Sequence, residues 1–81
     1  MSHDKKFNSG KQHLVYMANQ IATFFTSQPG DEAAENVADH INKFWEPRMR
    51  RHLFEIIERG GDGLSPLVLK AADSIRRPQA A

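Results

Sequence analysis

The residues best suited to chemistry lie in one nine-residue stretch, residues 44–52. It contains two large aromatic side chains, a proline and three arginines, namely Phe44, Trp45, Pro47, Arg48, Arg50 and Arg51. Trp and Arg are enriched among the residues that dominate binding energy at protein interfaces, and the planar guanidinium group can hold a carboxylate or a phosphate through two hydrogen bonds. The stretch therefore indicates a contact surface for a protein or for an anionic group.

The same stretch also has a purely structural interpretation, and the spacing of the residues favours neither this interpretation nor the contact surface. In it, both aromatic side chains fill a small core, while the arginines stay in solvent and neutralise neighbouring glutamates. Arg51 stands four residues before Glu55, and Glu55 four before Arg59, so part of this charge is expected to form surface pairs worth a few tenths of a kcal/mol each. Arg48 and Arg50 are therefore the better binding candidates, with Arg51 beside them.

Two other polar residues stand among apolar ones. Asn19 lies in the middle of a predicted helix, where asparagine has low propensity, so we expect its amide to hydrogen-bond across the helices or to a partner. His40 lies next to Ile41 and one helical turn before Phe44. A histidine in such a position is most often a half-buried packing residue, with binding as the alternative. Both are kept as candidate binding residues.

Catalytic and metal sites find little support in the sequence. The four histidines lack the close pairing of zinc motifs, and without cysteine there are no disulfides, thiolate nucleophiles or thiolate-bound clusters. No Gly-x-Ser-x-Gly segment is present, and the glycines at 60, 61 and 63 are not followed by the Lys-Ser/Thr of a phosphate-binding loop. We predict no catalytic residue, no metal ligand and no enzymatic activity of this chain alone.

Length and charge bound the remaining possibilities. The 81 residues make one small domain, which buries only roughly 60% of the surface of its unfolded chain and is expected to need a partner. Eleven basic against ten acidic residues give a net charge of +1, too little to attract nucleic acid as a whole. The apolar runs are far shorter than the roughly 20 residues that span a bilayer, and the polar N-terminus is unlike a signal peptide. The expected location is the cytoplasm.

Apolar residues recur at helical spacing in four segments separated by Gly and Pro. The first runs from Lys11 to near Ser27, and the second is expected to be capped by Asp31. Pro47 should end the second helix and open the third, which Gly60 and Gly61 end. Ser65 and Pro66 then open a fourth helix that Pro78 closes.

These segments predict an all-α fold, a compact bundle of four short helices with a polar, flexible N-terminal arm. We divide the chain into the arm at 1–10, a single helical domain at 11–77 and a tail at 78–81. No segment shows the alternation of a strand.

Several short segments also carry a family resemblance. They are residues 16–21 (YMANQI), 24–25 (FF), 38–41 (ADHI), 44–50 (FWEPRMR) and 63–68 (GLSPLV). In order and spacing the chain resembles the delta subunit of the soluble NAD-dependent formate dehydrogenases from Tyr16 to about Ala72, with the Phe-Trp-x-Pro-Arg-Met-Arg segment as the most specific part.

The resemblance implies a non-catalytic accessory subunit of a cytoplasmic complex that oxidises formate to carbon dioxide and reduces NAD. The large subunits of such complexes hold a molybdenum or tungsten bis-pterin guanine dinucleotide cofactor, iron-sulfur clusters and FMN, none of which we expect this chain to bind. The implied partner is the catalytic (alpha) subunit. The chain would either stabilise that subunit or support insertion or retention of its cofactor, and the arginines could meet carboxylates in the first role or cofactor phosphates in the second.

Two alternatives remain open at this stage. A small helix-turn-helix protein could place Arg48, Arg50 and Arg51 in the major groove of DNA, although the near-zero net charge disfavours nucleic acid. A homodimer could form in isolation, because a small core with exposed aromatic residues can bury them against a second copy.

Overall fold

The chain folds into helices that cross one another around a shared apolar core. The computed structural model describes the backbone of residues 2–28 and 30–78 and the side chains of residue 10 and of residues 12–28 and 30–78. The elements are α1 (Ser2–Thr26), α2 (Ala33–Phe44), α3 (Pro47–Glu58), α4 (Pro66–Ala71) and a final 3₁₀ turn (Ala72–Ser74). The described part of the chain contains no strand, so the predicted all-α bundle of four helices is confirmed.

The first helix is longer than the periodicity predicts. α1 begins at Ser2 and not near Lys11, so its backbone is helical through the predicted N-terminal arm. Residues 2–10 contain no proline, and a helix already formed and packed further along can extend at one hydrogen bond per residue without a new nucleation step. The flexibility of the arm and the division into arm, domain and tail stay predictions, and residues 1 and 79–81 lie outside the described part of the chain.

The start of α2 also differs from the prediction. Glu32 and not Asp31 occupies the N-cap position, and its side chain makes no capping hydrogen bond. Its backbone angles, φ −105° and ψ 21°, lie outside the extended region from which a capping side chain reaches the first free amides. The Asp31 cap was therefore a wrong prediction, although Glu35 does lie in the first turn, where its charge complements the helix dipole.

The corner between α2 and α3 follows from Pro47. The residue before a proline is driven into extended geometry, and Glu46 has φ −66° and ψ 155°. Pro47 itself then occupies the first turn of α3, where its missing N–H costs nothing. The amide of Trp45 closes α2 by donating to the carbonyl of Ile41 at 3.0 Å. The predicted immediate restart of the helix after Pro47 is confirmed.

Two glycines end α3 as predicted. The Gly61 amide donates to the carbonyl of Ile56 at 2.9 Å, and the Gly60 amide donates to that of Ile57 at 3.0 Å. This pair of bonds is the Schellman arrangement, which requires left-handed backbone next to the helix end. Gly60 has φ +116° and Gly61 φ +70°.

The predicted Ser65 cap is also confirmed. The Ser65 hydroxyl accepts from the amide of Val68 at 3.3 Å, and Pro66 follows in the first turn of α4. α4 itself ends at Ala71, earlier than the predicted stop at Pro78.

The core is formed by buried apolar residues from every helix and both loops beside α4. They are Ala18 and Ala22 of α1, Val37, Ala38 and Ile41 of α2, Trp45, Leu53, Phe54, Leu64, Val68, Ala71 and Ile75. Three of these on α1 and α2 are alanines, whose small side chains let two helix backbones approach closely. The core thus fixes α1 against α2 and holds the corner that follows α2.

Exchanging Gly61 for alanine is expected to lower the free energy of unfolding by about 1–2 kcal/mol, the cost of left-handed backbone for a residue with a Cβ. The new Cβ would also lie 2.9 Å from Cδ2 of Leu69, which must shift. Gly10→Ala is the matched control, because its Cβ meets nothing within 4 Å and alanine favours the helix interior. Urea denaturation should show a lower midpoint for Gly61→Ala and an equal or higher one for Gly10→Ala. Equal midpoints for Gly61→Ala and the wild type would contradict the helix-end geometry.

Candidate partner-binding surface at the corner of α2 and α3

The two aromatic residues before the corner lie on opposite sides of the structure. Trp45 is 6% exposed and belongs to the core, whereas Phe44 is 70% exposed. Val37 and Ile41 lie on the buried side of α2, whereas Trp45 follows the last helical residue with extended backbone, φ −89° and ψ 134°. Because the backbone leaves the helix at Trp45, the helical spacing does not decide which of the two adjacent side chains is buried. The structural interpretation therefore holds for Trp45, which fills the core. The contact-surface interpretation stays open for Phe44, whose ring is exposed to solvent.

The three arginines of the corner are also in different environments. Arg48 and Arg51 are exposed, and neither forms an ion pair with any residue that the structure describes. Arg50 is half-buried, and its Nη1 donates to the carbonyl oxygen of Arg76 at 2.7 Å, while its Nε is buried without a partner. Arg48 and Arg51 thus have guanidinium groups available to a partner, and Arg50 holds the C-terminal segment.

The predicted surface pairs of Glu55 with Arg51 and with Arg59 are wrong. Instead Glu55 Oε1 lies 3.4 Å from Nδ1 of His52, three residues away on the same helix. Exposed pairs hold one geometry only weakly, so sequence spacing alone does not decide which partner a carboxylate takes.

A row of four rings runs across the ends of α1 and α2. Phe24 meets Phe25 edge to face at 5.1 Å between centroids, Phe25 lies 6.3 Å from His40, and His40 lies 4.8 Å from Phe44. These spacings fall in the range of favourable aromatic contacts. We call Phe24, Phe25, His40 and Phe44 the aromatic row. His40 is half-buried within it, as the packing interpretation predicts.

The two ends of the aromatic row are exposed. Phe24 is 57% and Phe44 70% exposed, while Phe25 between them is half-buried. Phe24 and Phe25 were not selected as site residues from the sequence, because both continue the apolar residues that recur at helical spacing in the first segment. Helical spacing permits two adjacent residues on one apolar face, so the sequence gives no signal that Phe24 is exposed.

Asn19 joins α1 to the loop before α4. Its Nδ2 donates to the carbonyl of Gly63 at 2.8 Å, and its Oδ1 accepts from the amide of Ser65 at 2.8 Å. The side-chain amide of Asn19 therefore both donates to and accepts from the backbone of this loop. The predicted hydrogen bond across the bundle is confirmed. Gln20, one position along, is exposed and bonds only to the hydroxyl of Tyr16.

A second asparagine, missed by the sequence analysis, binds the C-terminal segment in the same way. Nδ2 of Asn42 donates to the carbonyl of Ser74 at 3.1 Å, and Oδ1 accepts from the amide of Arg76 at 2.8 Å. These backbone groups are thereby removed from any continuing helix, which explains why α4 stops before Pro78. The position of Asn42 inside a helix, where its propensity is low, was the available indication.

Arg77 holds the same segment against α3. Its Nη1 lies 2.9 Å from Oε2 of Glu58, and its guanidinium carbon lies 4.2 Å from the centroid of the Phe54 ring. Together with Asn42 and Arg50, this contact fixes the chain through residue 77 across α2 and α3.

The remaining surface offers little for small-molecule chemistry. An open cleft of about 410 Å³ lies between the end of α1 and the start of α4, but two hydroxyls on its rim bond to their own helix, Thr26 to Ala22 and Ser27 to Phe24, each at 2.7 Å. Among the described residues, no three His, Asp or Glu side chains come together as metal ligands would. None of the described helices is both long and apolar enough to cross a membrane.

The comparison with known families shows which family the chain belongs to. A profile of the family described as NADH-dependent formate dehydrogenase delta subunit FdsD matches residues 13–72. The chain belongs to the FdsD family. The match confirms the sequence resemblance and associates the chain with a formate dehydrogenase complex as a delta subunit. No curated protein and no solved structure matches the chain significantly.

The part matched by the FdsD family includes the features described above. Asn19, the aromatic row, the corner arginines and the loop before α4 all lie within residues 13–72, while the segment that Asn42 and Arg77 hold lies beyond it. The partner-binding candidates of the corner are therefore within the family's own domain.

Proposed function

We propose that this FdsD-family chain is a non-catalytic accessory subunit of a cytoplasmic NAD-dependent formate dehydrogenase, and that it binds the catalytic (alpha) subunit. The observation that carries the proposal is the combination, on a small closed core, of an exposed Phe44 with two exposed arginines at one corner of the family's domain. Apolar and guanidinium groups presented together are typical of protein interfaces. Family membership supports this function over the helix-turn-helix alternative.

The chain's own chemistry supports the non-catalytic role. Without cysteine it has no thiolate to bind an iron-sulfur cluster, and electron transfer from formate to NAD in such a complex would rest on the larger subunits. A molybdenum or tungsten bis-pterin guanine dinucleotide cofactor, FMN and NAD would be bound by those subunits and not by this chain. This chain would contribute to the complex by binding the catalytic subunit and not by taking part in the reaction.

The proposed subunit could act in two ways, as a stabilising subunit or as a maturation subunit, and its absence would affect the catalytic subunit differently in each case. A stabilising subunit would bind the finished enzyme and slow its inactivation. A maturation subunit would bind the enzyme before its cofactor is complete, with Arg48 and Arg51 able to meet cofactor phosphates. Arg50 is less available for this role, because its guanidinium group binds Arg76.

The test is to produce the formate dehydrogenase complex with and without this chain. Formate oxidation, bound metal and pterin per catalytic subunit, and the half-life of activity on warming are then measured. In the stabilising form, omission leaves metal and pterin unchanged and shortens the half-life. In the maturation form, omission yields a catalytic subunit poor in cofactor. Identical activity, cofactor content and half-life in both preparations would refute the accessory function.

A further inference from the structure

We infer that the aromatic row, together with Arg48 and Arg51, is the surface that docks on the complex, and that its occupant is an apolar protein surface bordered by carboxylates. This inference rests on the proposed function and names the contact chemistry of that function.

The aromatic row is an apolar surface that the fold leaves uncovered. Phe24 and Phe44 are two of the four large hydrophobic side chains that are exposed among the described residues. The row links them through half-buried Phe25 and His40. Exposed apolar side chains that are joined into one patch mark interaction sites, whereas single ones do not.

The row is also ordered before any partner arrives. Its rings contact one another in sequence, and they stand on α1 and α2, which the core holds together through buried Ala22 and Ala38. A surface with fixed side chains loses little conformational freedom on binding. This is the property expected of anchor residues in an interface.

Charge identifies the occupant. Arg48 follows Phe44 by four residues, which can span at most about 14 Å, so the row ends beside the corner arginines. The nearby carboxylates of α3 are engaged elsewhere, Glu55 with His52 and Glu58 with Arg77. Further back on α2, Asp39 and Lys43 neutralise each other at 3.0 Å. At the corner itself, residues 44–52 carry three guanidinium groups against one carboxylate, that of Glu46, which forms no ion pair with any described residue. The corner end of the row is therefore cationic on balance, and it complements a partner that carries carboxylates.

The size of the patch and the charge beside it together disfavour a second copy as the occupant. The exposed parts of Phe24 and Phe44 amount to on the order of 100 Å² each, so the row offers a few hundred Å². A stable interface buries about 800 Å² on each partner. Two copies meeting through the row alone would fall short, and extending that contact to the corner would add the arginines of both copies to one interface, whereas a partner that carries carboxylates can cover the row and the corner arginines together.

The experiment is affinity capture of the assembled formate dehydrogenase complex by tagged variants of this chain, with dissociation constants measured at two salt concentrations. Phe24→Ala and Phe44→Ala are each expected to weaken binding about tenfold or more, as loss of an anchor residue does. The pair Arg48→Glu and Arg51→Glu should slow association and reduce its salt dependence. Circular dichroism should give melting temperatures close to wild type, because these side chains are exposed.

Matched controls separate the row from the rest of the surface. Tyr16→Ala removes an aromatic side chain that is 60% exposed and outside the row, and Lys70→Glu reverses an exposed charge on α4. Both are expected to bind like the wild type. Equal losses in the controls and the row variants would overturn the inference.

The outcomes also separate this inference from the proposed function. If the wild-type chain captures the complex and all row variants do so equally well, the docking surface lies elsewhere and only this inference fails. A wild-type chain that captures no complex would refute the proposed function and this inference with it. A row that instead mediates a dimer of isolated chains, with complex capture unaffected by its mutation, would also overturn the inference.

Discussion

Replacing Trp45 by alanine is expected to lower the free energy of unfolding by about 3–5 kcal/mol, the usual cost of removing a buried large aromatic side chain. Trp45 is 6% exposed and closes the core at the end of α2. A domain of this size has a total stability of roughly 4–12 kcal/mol, so the variant should be partly or wholly unfolded at 37 °C. Helix content and its thermal transition, measured by circular dichroism, test this expectation.

Phe44→Ala is the matched control for Trp45→Ala, since it removes the neighbouring aromatic ring from a position that is 70% exposed. Its effect on stability should stay within about 0.5 kcal/mol, as for most surface substitutions. The two substitutions should therefore have different effects: Trp45→Ala should impair folding, and Phe44→Ala should impair capture of the complex. Equal thermal transitions of the two variants would contradict the placement of Trp45 in the core.

Asn19→Ala is expected to lower the free energy of unfolding by about 1–3 kcal/mol. The substitution leaves the carbonyl of Gly63 and the amide of Ser65 without their partner, and such unpaired groups cost more than the average hydrogen bond contributes. The higher helix propensity of alanine offsets part of this loss by about 0.5 kcal/mol. Urea denaturation can be followed by fluorescence of Trp45, the single tryptophan of the chain.

Gln20→Ala is the control for Asn19→Ala on the same helix. Gln20 is exposed and bonds only to Tyr16, so its removal should leave the urea midpoint nearly unchanged. At temperatures where Asn19→Ala is folded, it should capture the complex as well as the wild type does, because its amide is engaged within the chain. An unchanged urea midpoint for Asn19→Ala would show that the loop before α4 does not depend on this side chain.

The sequence predicted the helix ends best where a local backbone rule decides them. Pro47, Ser65 and the glycines after α3 each act through their own backbone or hydroxyl group, and the structure places all of them as expected. The end of α4 was predicted wrongly because a distant group intervenes. α4 stops early because Asn42, 32 residues before Ser74, takes the backbone groups that a longer helix would use.

The candidate surface was predictable only in part. The spacing indicated a binding site at the corner, but it could not tell which of Phe44 and Trp45 faces the core, because that depends on where the backbone leaves the helix, which it does at Trp45. It also could not show that Arg50 holds the C-terminal segment, since Arg76 lies 26 residues away in sequence. The aromatic row joins two helices, and pattern analysis along one helix does not reveal contacts across two.

The central claim, that this chain acts by binding the formate dehydrogenase complex, is tested most directly by affinity capture of the other subunits with the tagged wild-type chain, from cells that make the complex with or without its cofactor. Stoichiometry, metal and pterin are quantified in the captured material. Our account predicts co-elution with the catalytic subunit in a fixed ratio, from the finished enzyme for a stabilising subunit or from the cofactor-free enzyme alone for a maturation subunit. Absence of the catalytic subunit from both captures would contradict it.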